Sequence, residues 1–197
     1  MKIQRLFFFI ALLIFGCSTP STDKDTNLHK ETHEHQHDES TEKEQVKKPK
    51  SPKTSAMGNI GNNHVHIEYS SPSVRGRQIW GGLVPFGEVW ASGAHKATSI
   101  NFSSDVKIDG VIIPKGKYGF FTIPNEKKWT VIINKNWEQH LADDYDQNED
   151  LVRVIVKPEE ISFVEALHYD VTSTDNNKGF ISMKWEKLKI SIEIINN

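Results

Sequence analysis

Residues 61–71 read GNNHVHIEYSS and set His64 and His66 one residue apart. Val65, Ile67 and Tyr69 alternate with His64, His66 and Glu68, the period of a β-strand, whose successive side chains point to opposite faces. One face is then apolar, and the other carries two imidazoles and a carboxylate. Imidazoles so spaced have Cβ atoms about 7 Å apart, close enough to share an ion. His95 follows an SGA bend, and His140 lies in NWEQHLADDYD beside Asp143, Asp144 and Asp146. If the fold brings these segments together, His64, His66, His95 and His140 with a carboxylate would hold zinc or copper. The competing reading is a wet strand face and loop histidines engaged in hydrogen bonds. His168, between Leu167 and Tyr169, reads as structural. The single cysteine, Cys17, lies far outside this region, and the lack of a thiolate argues against a blue-copper centre.

Other residue types suggest other chemistry. SPSVRGRQIWGGLVPFG gathers Arg75, Arg77, glycines and prolines in one loop. The guanidinium forks would grip a carboxylate or phosphate, or would pin the acidic run ADDYDQNED to the body. That loop is no P-loop, lacking the Lys-Ser/Thr ending and the helix. Trp80 and Trp137, at loop edges, are candidate sugar platforms, although aromatic residues more often act by burial. Trp129 opens an alternation with Val131 and Ile133 and reads as core. No G-x-S-x-G elbow occurs, which argues against covalent catalysis by serine. Asp144 and its acidic neighbours lack the fixed spacing of a calcium loop; Asp144 is retained as a ligand-binding candidate and as the base of a conceivable metal-dependent hydrolase.

The elements that would position these residues begin after an unusual N-terminal stretch. Lys2 and Arg5 precede an apolar run from Leu6 to Phe15, too short for a permanent span and shaped like a signal-peptide core. It ends in LIFGCS, where Gly16 suits a peptidase pocket and Cys17 would become the lipidated first residue. A thioether-linked diacylglycerol plus an acylated amine would give the two chains that stable membrane anchoring needs. Residues 17–56 are polar and rich in Ser, Thr, Glu, Lys and Pro, a composition expected of a disordered tether. His29, His33, His35 and His37 within it would act as a weak metal scavenger or simply ride in a solvated spacer. The chain has 24 basic and 26 acidic residues, and loss of the leader removes Lys2 and Arg5. Such a balance argues against nucleic acid as a partner, which calls for a basic stripe.

From residue 57 to residue 197 the punctuation is that of an all-β protein. NHVHIEYS, ATSINF, VKI, VII, PKGKYGFFTI, WTVIINK, LVRVIVK and FVEALHYDVTS are short strand patterns separated by turn residues. Asp109–Gly110 between VKI and VII is a two-residue hairpin signal. In FISMKWEKLKISIEI, Ile181, Met183 and Trp185 share one face, and Leu188, Ile190, Ile192 and Ile194 alternate further on. NWEQHLADDY has room for one short helical turn. Together these predict an antiparallel β-sandwich or barrel-like domain.

Four blocks in order, YSSPSVRGRQIWGGLVPFGEVWASGAHKAT, IPKGKYGFFTIP, WTVIINKNW and DLVRVIVKP, closely resemble the domain-of-unknown-function family 2911. The resemblance implies an exported β-rich domain, typical of Bacteroidetes, and supplies no chemistry. Many members look like VWRTGANEAT where this chain reads VWASGAHKAT, so the family arginine is Ala91 here, the asparagine His95 and the acidic residue Lys96. Members also carry Thr-like residues in place of His64 and His66. Arginine is lost where histidines appear, the mark expected of a subgroup with altered site chemistry. The expectation is a lipoprotein of a Gram-negative cell envelope, held at the outer membrane through Cys17, whose β domain binds a small ligand or metal ion. The alternatives are a metal-dependent hydrolase and a module that contacts envelope proteins or glycans.

Overall fold

A computed structural model describes residues 49–197. The leader, Cys17 and the tether histidines His29, His33, His35 and His37 lie outside the described residues. Ten strands follow: β1 Lys53–Ile60, β2 Asn63–Ser70, β3 Ser99–Phe102, β4 Val106–Ile108, β5 Val111–Ile113, β6 Gly116–Ile123, β7 Trp129–Asn134, β8 Asp150–Val156, β9 Glu159–Ser173 and β10 Lys178–Asn196. They form a six-stranded sheet in the order β1-β2-β3-β6-β7-β8 and a four-stranded sheet in the order β5-β4-β10-β9. Every strand pair is antiparallel. The expected helical turn in NWEQHLADDY is absent; the described residues form a single 3-10 turn, just downstream at Gln147–Glu149. Among them no helix is long and apolar enough to cross a membrane.

The alternation seen in the sequence sets the layers. Val65, Ile67, Ile100, Phe102, Phe120, Val131 and Ile133 of the first sheet meet Leu167, Tyr169, Ile181, Met183, Trp185, Ile190, Ile192 and Ile194 of the second in one buried cluster. This is the face-to-face packing of a β-sandwich, with each inner face supplied by every second residue. Trp80, Trp90, Trp129 and Trp185 pack within it as a knot of four indoles. The Trp80 ring lies 4.6 Å from Trp129, 5.7 Å from Trp185 and 5.9 Å from Trp90.

Two local devices complete the sheets. Asp109 and Gly110 both adopt positive φ, 47° and 82°, as the tight β4–β5 hairpin requires. In β10, Glu186 sits at φ 56°, and the register with β9 slips on either side of it. An extra residue there moves the inward positions from odd to even numbers. That is why Ile181, Met183 and Trp185 and then Ile190, Ile192 and Ile194 are all buried in one strand.

The domain starts earlier than residue 57. Residues 53–56 belong to β1, which pairs with β2 over its whole length from Lys53↔Ser70 to Ile60↔Asn63. KTSAMGNI carries no alternating large apolar residues, so its strand character comes from its neighbours. Gly58 lets β1 approach the second sheet: a Cβ there would meet the Val171 carbonyl oxygen at 2.9 Å.

Candidate functional site

The outer face of the six-stranded sheet carries the polar residues. Strand register sets Met57, His66, Asn101 and Lys117 in one row across β1, β2, β3 and β6, and Ser55, Glu68, Ser99 and Gly119 in the next. Two loops cover the far half of this face, where Ala91, Ala97, Phe121 and Ile132 form a second small apolar cluster beneath them. At the border between covered and bare sheet lies a cleft of about 260 Å³, lined by Lys53, Glu68, Lys96, Lys117, Trp137 and Glu138 with Ser99 at its floor.

Each loop is fixed by buried hydrogen bonds. Ser92 is fully buried at φ 54°, a conformation that costs a non-glycine residue free energy. Its carbonyl accepts two hydroxyls, from Tyr169 at 2.7 Å and Thr98 at 3.0 Å, and its own hydroxyl donates to Thr122 at 3.0 Å. Burial pushes the Tyr169 phenol far above its ordinary range, so it stays a donor. This clamp holds the start of the loop that presents Lys96. The loop bearing Trp137 is tied down by Asn134, whose amide donates to the Asp146 carbonyl at 2.9 Å and to Asp150 at 2.7 Å. The sheet has no side chain at Gly119, where a Cβ would stand 3.3 Å from the Asn136 carbonyl oxygen, so the backbone before Trp137 can settle on it. The loops then join edge to edge: the Ala97 N–H donates to the Gln139 carbonyl at 3.0 Å, and the Leu141 N–H to the His95 carbonyl at 2.7 Å.

Charge in the cleft is unevenly matched. The Lys117 ammonium is paired with Glu68 and lies 4.3 Å from the centre of the Trp137 ring, a cation–π arrangement. The hydrogen bond from Lys117 holds the Glu68 carboxyl below its usual range, against a smaller opposing effect of burial, and the charge of His66 adds to it. Lys53, Lys96 and Glu138 have no ion-pair partner among the described residues. Two unpaired ammonium groups therefore face one unpaired carboxylate beside an aromatic wall.

The family model described as a protein of unknown function (DUF2911) matches residues 51–194. The chain belongs to the DUF2911 family. Neither the curated proteins nor the solved structures contain a match to it.

The DUF2911 domain distributes the candidate residues in several places. The four histidines lie in two places: His64 and His66 on one face of β2, His95 and His140 in adjoining loop segments. His64 and His66 project from β2 with ring centroids 6.3 Å apart. His140 stands in the loop that bridges to the His95 segment, and its Nδ1 is held by Asp143 at 2.9 Å. Among the described residues no group of three or more His, Cys, Asp or Glu side chains is placed to hold an ion, so the expected four-histidine zinc or copper centre is not formed. The sheet's bare and loop-covered halves separate the two pairs. Arg75 and Arg77 do not pin the acidic run. Arg75 donates to the Lys50 carbonyl at 2.9 Å, tying its loop to the segment before β1, while Arg77 donates to the carbonyls of Val74 and Ser73 and closes its own loop. The acidic run is met instead by Arg153, which donates to Asp150 at 2.6 Å and to the Tyr145 hydroxyl at 2.7 Å. Trp80 belongs to the indole knot and offers no open platform, whereas Trp137 does line the cleft. Asp144 is exposed in the acidic loop and lies outside the cleft lining.

Sequence reading missed Lys53, Lys117 and Glu138. Lys117 was legible as an outward position of the strand GKYGFFTI, in phase with His66 once the strands are paired. Lys53 was hidden by the placing of β1 within the tether.

Proposed function

We propose that this DUF2911 domain captures a small organic anion in the Trp137 cleft while held at the cell envelope by a lipid on Cys17. One observation carries the ligand class: ammonium groups outnumber carboxylates around the Trp137 ring, and Lys117 already neutralises Glu68. An anionic group would sit between Lys53 and Lys96, and the ligand's ring or carbon skeleton would lie along the indole. Aromatic walls with a few converging polar groups are the usual make-up of small-molecule sites. The cleft's volume of about 260 Å³ suits something the size of one sugar acid. The lipid anchor rests on the basic residues, apolar run and Gly16–Cys17 of the leader, and the Gram-negative outer membrane is the destination such a leader serves.

Trp137 is the one tryptophan of the five outside the buried knot, which makes fluorescence a direct readout. D-glucuronate should cause a saturable change in emission, and D-glucose at equal concentration should not. The change should vanish in Trp137→Phe and weaken in Lys96→Met. Equal responses to the neutral and acidic sugars, or no saturable response to either glucuronate or citrate, would overturn the assignment. For the anchor, palmitate labelling should be lost in Cys17→Ser; labelling that persists would remove it.

A further inference from the structure

Beyond the cleft, the same sheet face holds a set of donors that the anion site does not use. Met57 is 58% exposed, directly opposite His66 in the β1–β2 register. It belongs to neither apolar cluster. The protein has three methionines, and Met183 is buried in the core, so Met57 is the thioether that β1 offers to solvent. Directly opposed residues of antiparallel strands have Cβ atoms about 4.5–5.5 Å apart, and long side chains reach diagonal neighbours as well. His64 is that diagonal neighbour, its ring centroid 6.3 Å from that of His66 and tilted by 43°.

The His64 ring is already oriented as a ligand's would be. Its Nδ1 lies 3.0 Å from Oδ1 of the Asn59 side-chain amide, an oxygen that can only accept, so in this arrangement Nδ1 donates and Nε2 keeps the lone pair. Ligating histidines characteristically donate their second N–H to such an oxygen. Two imidazoles fall short of three hard or borderline donors, and a thioether as third donor changes which ion is chosen. Thioether sulfur is a soft ligand that favours monovalent copper, and carboxylate-loving ions such as magnesium and calcium gain nothing from it.

We propose that Met57, His64 and His66 form a surface site for a soft monovalent cation, Cu(I), for which Ag(I) is a redox-inert probe. The site is separate from the anion cleft, and strand register sets its three residues on one patch of the sheet face.

The test uses the full chain carrying Cys17→Ser, which removes the thiol that would otherwise take silver first, with methionine labelled at its methyl carbon. The Met57 resonance, assigned by its loss in Met57→Leu, should shift on adding Ag(I) and saturate. The same shift should persist when His29, His33, His35 and His37 are all changed to Asn. Affinity should fall about tenfold in Asn59→Ala, the effect expected for losing an orienting group, and further in His64→Ala/His66→Ala. An unmoved Met57 methyl would overturn the site. So would equal titrations of the parent and the double variant, which would reveal a lone thioether. Loss of the shift with the tether histidines would overturn it too, because the nitrogen donors would then come from elsewhere.

Discussion

Removing both hydroxyls that bind the Ser92 carbonyl should cost more than the two single losses together. Tyr169→Phe and Thr98→Val each delete one of the donors, at 2.7 Å and 3.0 Å. After either change the carbonyl keeps its other partner, so each should destabilise by about 1 kcal/mol, the net worth of an ordinary hydrogen bond. After both changes a carbonyl in a residue with 0% exposure has no donor, and its full desolvation penalty appears, about 1–3 kcal/mol. The double variant should therefore exceed the sum by roughly 1–2 kcal/mol, well above the usual additivity error of about 0.5 kcal/mol. Urea unfolding followed by emission of the indole knot measures this, with the slope against denaturant checked for constancy. Costs that add within about 0.5 kcal/mol would refute the idea that one buried acceptor is shared. The effect should also reach the ligand, because Ser92 opens the loop that presents Lys96 to the cleft.

Two further outcomes follow from burial and close approach. All four tyrosines have their phenols raised: burial acts first on Tyr69, Tyr118 and Tyr169, and burial with the Asp150 hydrogen bond lifts Tyr145 to about 12. A group whose folded pKa is raised gives stability that is complete below its unfolded value and is lost as pH climbs towards the folded one. The native protein should thus show little tyrosinate absorbance at pH about 10, where the urea-unfolded chain titrates, and stability should fall above that pH; a native titration coinciding with the unfolded one would contradict it. Gly58→Ala should destabilise by about 1–3 kcal/mol through overpacking, because the added methyl meets Val171 at 2.9 Å from its carbonyl oxygen and 3.0 Å from its Cβ; an unchanged denaturation midpoint would contradict it.

Much of the sandwich could be read from residue alternation because each strand buries one face, and a one-residue slip would expose it. β2, β6, β7 and the Asp109–Gly110 hairpin all carry that signal locally. The change of phase in β10 was visible as well, since the apolar positions pass from 181, 183 and 185 to 188, 190, 192 and 194; the bulge at Glu186 is its structural meaning. β1 was not legible. Its small and polar residues become a strand only through pairing with β2 and contact with β9, and no local pattern encodes either. The cleft was half legible for the same reason. Trp137 could be picked out by type, but Lys53, Lys96 and Lys117 come from three separate segments, and strand pairing together with the clamped loop makes them neighbours. The four histidines were grouped by chemical type, and the sheet kept them apart. Arg75 and Arg77 were read as gripping a ligand anion or the acidic run, whereas backbone carbonyls take them: Ser73 and Val74 for Arg77, and Lys50 for Arg75.

Because β10 hydrogen-bonds to β9 on one side and to β4 on the other, the four-stranded sheet cannot close until residues 178–196 have been delivered. Even the Ile60 carbonyl at the end of β1 receives its amide donor from Asn196. A polypeptide emerging in order would hold the greasy inner side of its first sheet, with Ile67, Phe120 and Ile133, open to water until that final segment arrives. Such long-range closure makes maturation slow and leaves an adhesive intermediate. A chaperone acting on the nascent protein would therefore have its substrate in the half-built sandwich, and a frameshift late in the gene would leave an aggregating fragment in place of a weakened domain.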